Sequence, residues 1–137
     1  LKNYNLTIVG NYKKSIPKKY IAKNINYKDS VSNIDELIKI YDSTKIFILP
    51  SFIEGFPKVI SESLARLRPV IIFEEIQYVV NEREGIFVCK RDDKSLIDTI
   101  TFILKNYTDI QKKIEQNYFY TKDNFKKEIL TLFQNEF

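Results

Sequence analysis

Histidine and methionine are absent from this 137-residue chain, and cysteine occurs once. Without histidine there is no Ser-His or Cys-His nucleophile pair and no imidazole to hold a metal. A lone Cys89 forms no internal disulfide and supplies no thiolate cluster for zinc. It closes the run Ile86-Phe87-Val88-Cys89 and reads as a small buried hydrophobe. Methionine is missing even at position 1, which predicts a piece of a longer protein. Long hydrophobic runs are missing too: nothing approaches the ~18–20 apolar residues that span a bilayer, and no signal-peptide pattern opens the chain. A cytoplasmic chain is expected, with peripheral contact at the inner face of the membrane left open.

Charge is only mildly unbalanced. Twenty-two basic and eighteen acidic residues give +4, spread along the chain. The pairs Lys13-Lys14, Lys18-Lys19, Lys112-Lys113 and Lys126-Lys127 read as solvated surface. Nine tyrosines and ten phenylalanines sit mostly at core periodicity and build no stacking platform beside the lysines, so nucleic acid is not an expected partner. With 44% hydrophobic and 29% charged residues, the length suits one globular domain with a real core.

Two hydrophobic periods alternate along the chain, and their alternation predicts the fold. Leu6-Thr7-Ile8-Val9 is a short strand stopped by Gly10, and residues 11–24 form a polar loop with room for a short helix. Ile25-Asn26-Tyr27 makes a brief second strand. Asn33 then reads as a helix N-cap with Glu36 as its partner, and Ile34, Leu37, Ile38 and Tyr41 form one buried stripe. Ile46-Phe47-Ile48-Leu49 and Val70-Ile71-Ile72-Phe73 are continuously apolar, as expected for parallel strands covered on both faces. The helix between them runs from Pro57 to Leu67, with Val59, Ile60, Leu64 and Leu67 inward. Residues 74–84 read as a charged loop with an apolar patch of Ile76, Tyr78, Val79 and Val80. Asp92 or Asp93 starts a helix over 94–105 with Leu96, Ile97, Ile100, Ile103 and Leu104 inward, and two more helices span 109–119 and 123–135. The expected fold class is α/β, a three-layer α/β/α Rossmann-like open parallel sheet.

Residues 46–73 carry the chemistry. A strand, a glycine turn and a helix opened by proline make a ready anion site. Gly55 is expected to take a backbone conformation barred to other residues and to bring its amide close to a ligand. Pro57 suits the first helical position, where no amide hydrogen is needed. Amides on Lys58 and Val59 would point from the helix end toward a phosphate. The helix dipole disfavours a cation such as Lys58 in the first turn, a penalty that a bound diphosphate would reverse. Glu62 lies where a carboxylate accepts both hydroxyls of a ribose, and Glu54 at the strand's carboxyl end, where open α/β sheets place ligands. An anion that also carries hydroxyls, a sugar nucleotide, fits both acids. The alternative is an ordinary strand-turn-helix unit in which the two acids are surface charge.

The stretch Phe47-Ile48-Leu49-Pro50-Ser51-Phe52-Ile53-Glu54-Gly55-Phe56-Pro57, continued by Val59-Ile60-Ser61-Glu62-Ser63-Leu64-Ala65 and Pro69-Val70-Ile71, resembles the nucleotide-sugar-binding half of retaining GT-B glycosyltransferases. In particular it is similar to glycosyltransferase family 4, the glycosyl transferases group 1, with their Pro-Ser-x-x-Glu-Gly-Phe segment and Glu-x7-Glu motif. The likeness extends more loosely from Leu6 to the helix 95–105. The resemblance implies that residues 1–137 are one nucleotide-sugar-binding domain lacking the first strand-helix unit and the N-terminal acceptor domain. It implies that Glu54 holds donor-sugar hydroxyls and stabilises positive charge at the anomeric carbon. Gly55, Phe56, Pro57 and Lys58 would line the sugar and diphosphate, and the amides of Val59 and Ile60 would receive phosphate oxygens. Glu62 would bind the ribose, with Gly10 and Val31 near the base. The donor would be a UDP- or GDP-sugar, with neither a metal nor another cofactor.

Three departures qualify the resemblance. No strand bearing the family's Arg and Lys precedes Leu6. The family's Ala-x-Gly-x-Pro-Val reads Ala65-Arg66-Leu67-Arg68-Pro69-Val70, with Arg68 taken as the glycine's replacement. Glu74-Glu75-Ile76-Gln77 stand in for an expected glycine pair. The parent enzyme is therefore expected to transfer a hexose to a glycan, lipid or polysaccharide precursor, while this chain alone binds donor weakly and transfers nothing. The competing reading is a non-catalytic binding or assembly module that keeps the fold. A GT-B sugar-nucleotide epimerase is disfavoured by the missing histidine.

Overall fold

A computed structural model describes residues 4–11 and 23–135, with side chains through residue 131. The expectations for residues 12–22, including Lys13-Lys14 and Lys18-Lys19, lie outside the described residues. Among the described residues five strands are seen: β1 (Leu6–Val9), β2 (Ile25–Lys28), β3 (Phe47–Leu49), β4 (Val70–Phe73) and β5 (Ile86–Cys89). Five α-helices accompany them: α1 (Ile34–Ser43), α2 (Lys58–Ala65), α3 (Asp93–Lys105), α4 (Tyr107–Ile114) and α5 (Lys122–Asn135). A 3-10 helix, Glu74–Val79, connects β4 to β5.

Every ladder is parallel, and the expected mixed α/β class holds. One continuous sheet does not form among the described residues. β1 pairs with β2, and β3, β4 and β5 pair in that order as a separate open sheet. The difference lies in burial. β4 is buried at every residue and serves as the centre of its sheet, whereas Leu6 and Val9 of β1 are exposed and lack the two-sided cover of an interior parallel strand.

The core is built on β4. Val70, Ile71 and Ile72 are fully buried, with Ile60 and Leu64 of α2, Ile103 of α3 and Ile114 of α4 packed in the same cluster. Each such side chain contributes about 1.5–3 kcal/mol relative to exposure. Residues 74–84, expected as a loop, are drawn into this core at Ile76 and Val79, which fixes the 3-10 helix against the sheet.

Two expected inward faces differ. On α1 only Tyr41 is buried; Ile34 is 70% exposed and Ile38 36%, because the helix meets the core through its last turn. There Tyr41 packs edge-on against Phe47, with ring centroids 5.8 Å apart. Ile97 of α3 is likewise exposed, while Ile100 and Ile103 face inward.

Helix α2 is shorter than expected at both ends. Pro57 has ψ 95° and is the N-cap, so the helix starts one residue later. At the other end Leu67 adopts φ +57°. Leu67 N donates to Leu64 O at 2.8 Å and Arg68 N to Ser63 O at 3.0 Å. This is a Schellman closure, whose left-handed position is the usual place for glycine. Leu67, rather than Arg68, therefore stands at the glycine position. Its side chain packs against the core, while the Arg68 guanidinium donates to the carbonyls of Tyr41 and Asp42, each at 3.1 Å.

Candidate functional site: the turn between β3 and α2

Because β3, β4 and β5 are parallel and in register (Leu49 beside Ile72, Phe73 beside Cys89), the residues that follow each strand gather at one end of the sheet. These are the turn 50–57, the 3-10 helix and the segment Lys90–Asp92. Pro50 leaves the ladder first, having no amide hydrogen to continue it.

Glu54 is gripped on two sides. Ser51 Oγ donates to Glu54 Oε1 at 2.6 Å. The Tyr78 hydroxyl donates to Glu54 O at 2.6 Å and accepts from Glu54 N at 3.0 Å. Arg91 secures the start of the same turn. Its Nη1 donates to Pro50 O at 3.1 Å and its Nη2 to Ser51 O at 2.9 Å. The same guanidinium binds Glu75 through Nε at 2.8 Å and Nη2 at 3.3 Å, and lies 3.9 and 4.2 Å from the ring centroids of Phe52 and Phe73. Hydrogen bonding to Arg91 holds the Glu75 carboxyl below the usual range.

Gly55 does not take the expected special conformation. Its φ lies outside the left-handed region, and a Cβ there would meet nothing within 4 Å. The turn is shaped by Pro57 and by the side chains of Ser51, Tyr78 and Arg91 instead. Phe52, Ile53 and Phe56 are 69%, 83% and 73% exposed, so the turn presents an apolar rim around Glu54.

At the helix end, Ile60 N donates to Pro57 O at 3.1 Å and is already engaged. No hydrogen bond occupies the amides of Lys58 or Val59 among the described residues. Lys58 is exposed, forms no ion pair among those residues, and shares the first turn with no acidic side chain. Glu62 is exposed one turn on, and its Oε2 accepts from the Tyr41 hydroxyl at 3.1 Å. Burial, and then the Glu62 charge, raise the Tyr41 pKa. Its proton therefore stays in place to orient Glu62, with Oε1 free of that bond.

Gly10 and Val31 are less closely tied to the site. Gly10 ends β1 with φ +139°, its N donating to Lys28 O at 3.0 Å, and half-buried Val31 precedes α1. No hydrogen bond joins either to the turn 50–57 among the described residues. Among the described residues no group of three or more His, Cys, Asp or Glu side chains converges as a metal site, and no helix is long and apolar enough to cross a membrane.

Sequence reasoning missed Tyr41, Tyr78 and Arg91 as parts of this site. Parallel register was the signal for two of them: residues just beyond β4 and β5 must meet those just beyond β3. Residues 1–106 match the glycosyl transferases group 1 family, and the two acids, their turn and the strands that hold them all lie inside that match. The chain belongs to the glycosyl transferases group 1 family. A similar protein is an uncharacterized glycosyltransferase of Haemophilus influenzae, 28% identical over 111 residues. That alignment covers 76% of this chain but 31% of the relative, so the chain spans about a third of that protein's length. In this group 1 chain Glu54 and Glu62 stand on one strand-turn-helix unit, with Arg91 and Tyr78 bracing the turn that carries Glu54.

Proposed function

We propose that this chain is the C-terminal, donor-binding domain of a retaining GT-B glycosyltransferase of family 4. The parent protein would transfer a hexose from a UDP- or GDP-sugar to a glycan, lipid or polysaccharide precursor at the cytoplasmic face of the membrane. The observation that carries this reading is the placement of Glu54 and Glu62 on the two sides of one helix N-terminus, inside the stretch matched by the family.

In this reading Glu54 accepts hydroxyls of the donor sugar and stabilises positive charge developing at the anomeric carbon. The Gly55–Pro57 backbone lines the sugar. The Lys58 and Val59 amides, with the Lys58 ammonium, receive the diphosphate and stabilise it as it leaves. Glu62 Oε1 takes the ribose hydroxyls while Tyr41 steadies Oε2. Ile60, its amide engaged with Pro57, contributes packing and no phosphate contact. Gly10 and Val31 would approach the base, and the acceptor would come from a facing domain outside these residues.

Titration calorimetry of the full-length protein with UDP- and GDP-sugars tests this. Hydrogen bonds to a charged group contribute about 1.5–3 kcal/mol, so Glu62→Ala should weaken donor binding by roughly 10- to 150-fold. A second reading, a non-catalytic assembly module, draws on the exposed Phe52, Ile53 and Phe56 rim. Full-length wild-type protein that binds no sugar nucleotide would favour the module.

A further inference from the structure

We propose that Tyr78 and Arg91 are positioning residues that together hold the Ser51–Glu54 turn, and with it the Glu54 carboxylate, in its working geometry. The proposal rests on the reading of Glu54 as the sugar-facing acid, and adds how that acid is placed.

The turn needs an external brace. Gly55 carries no special backbone conformation, and Phe52, Ile53 and Phe56 are largely exposed, so local packing does little to fix residues 52–56. The two braces act at different points. The Tyr78 phenol has one proton and two lone pairs. It donates that proton to Glu54 O and accepts from Glu54 N, so one hydroxyl fixes both polar groups of a single residue. Arg91 spans the end of the sheet. Its planar donors take the carbonyls of Pro50 and Ser51 and both oxygens of Glu75, and the Phe52 and Phe73 rings lie within 4.2 Å of its guanidinium carbon. Ser51 links the braces, because its backbone is held by Arg91 while its hydroxyl holds Glu54 Oε1.

Tyr78 and Glu75 both come from the 3-10 helix Glu74–Val79, which is anchored in the core by Ile76 and Val79. The segment that lacks the expected glycine pair thus supplies a tyrosine and a glutamate to hold the turn. A lysine cannot replace Arg91, since an ammonium lacks the planar fork needed to bind two carbonyls and a carboxylate at once.

The test uses the full-length protein with Tyr78→Phe, Arg91→Lys and Arg91→Gln. Amide exchange at Glu54 reads the clamp directly, because Tyr78→Phe removes the acceptor of that amide. It should exchange about tenfold faster in Tyr78→Phe, the loss of one hydrogen bond. The thermal midpoint should fall by only a few degrees and affinity for UDP or GDP alone should be unchanged, while kcat with the sugar nucleotide falls about tenfold. Arg91→Lys should behave like Arg91→Gln rather than rescue it. Unchanged exchange at Glu54, or equal losses in nucleotide affinity and kcat, would overturn the proposal. If wild-type protein binds no donor yet exchange still accelerates in Tyr78→Phe, the donor-site reading fails and the brace itself stands.

Discussion

At Gly85 the backbone has φ +88°, and a Cβ there would lie 2.3 Å from Ile114 Cγ1, 2.6 Å from its Cδ1 and 3.1 Å from Leu64 Cδ2. Two costs coincide at this residue: a left-handed backbone and a close approach between β5, α2 and α4. Gly85→Ala should therefore lose about 2–4 kcal/mol, combining backbone strain with overpacking. Urea unfolding measures it, and a loss below 0.5 kcal/mol (roughly the scatter among neutral surface substitutions) would count against the packing described. The same substitution at Gly55 meets open space, so of these two glycines Gly85 is the one its surroundings require. Sequence alone did not rank them. Gly55 drew attention because it sits in a motif, whereas Gly85 is required by a helix that reaches it from residue 114. Leu67 teaches a similar lesson. Which residue turns left-handed depends on which carbonyls close the helix, and the Ser63 and Leu64 bonds are visible only in the folded chain.

Elements were legible where one local pattern settled them. The continuous apolar runs of β3 and β4 and the cap Asn33 are written in a few adjacent residues, whereas the second cap was open between Asp92 and Asp93 until the fold showed Asp92 in that place. Asn33 Oδ1 accepts from Glu36 N at 3.0 Å, and Asp92 Oδ1 from Ser95 N at 2.8 Å. The stripe on α1 was legible as a helix but not as a packing surface, because its burial depends on what lies opposite Ile34 and Ile38. The 3-10 helix was read as a loop, since its apolar patch of Ile76, Tyr78, Val79 and Val80 follows neither hydrophobic period and its burial depends on the sheet it meets. Asp92 matters twice: it caps α3 and directly follows Arg91. Replacing it by alanine should cost about 0.5–2 kcal/mol, the usual range for a lost N-cap. Denaturant unfolding of Asp92→Ala against Asp92→Asn checks this, and the asparagine variant should recover most of the loss because it keeps the capping oxygen.

At the scale of the molecule, two surface ion pairs among the described residues join parts distant in sequence, and both respond to acid in the same direction. Asp42 at the end of α1 takes Arg66 through Nε at 2.8 Å and Nη2 at 2.5 Å, tying that helix to the end of α2. Glu75 takes Arg91 beside the turn that carries Glu54. In each case hydrogen bonding to arginine lowers the carboxyl pKa in the folded protein. The unfolded chain then binds more protons through that window, so stability rises with pH there. The contribution is complete above the unfolded values, about 3.9 for Asp and 4.3 for Glu, and disappears as pH falls through the folded ones. Thermal midpoints should accordingly drop as pH is lowered from about 5 toward 3, by a modest amount because both pairs are solvent-exposed. Glu75→Gln removes one titrating group, so its midpoint should fall less steeply over the same range, with wild type and variant converging at the acid end. Parallel curves for the two proteins would mean that Arg91 is held by its rings and the Pro50 and Ser51 carbonyls alone. The turn would then keep its brace in acid. With the Glu75 pair in force, exchange at the amides of residues 52–56 should instead quicken over the same pH interval, after correction for the intrinsic pH dependence of exchange.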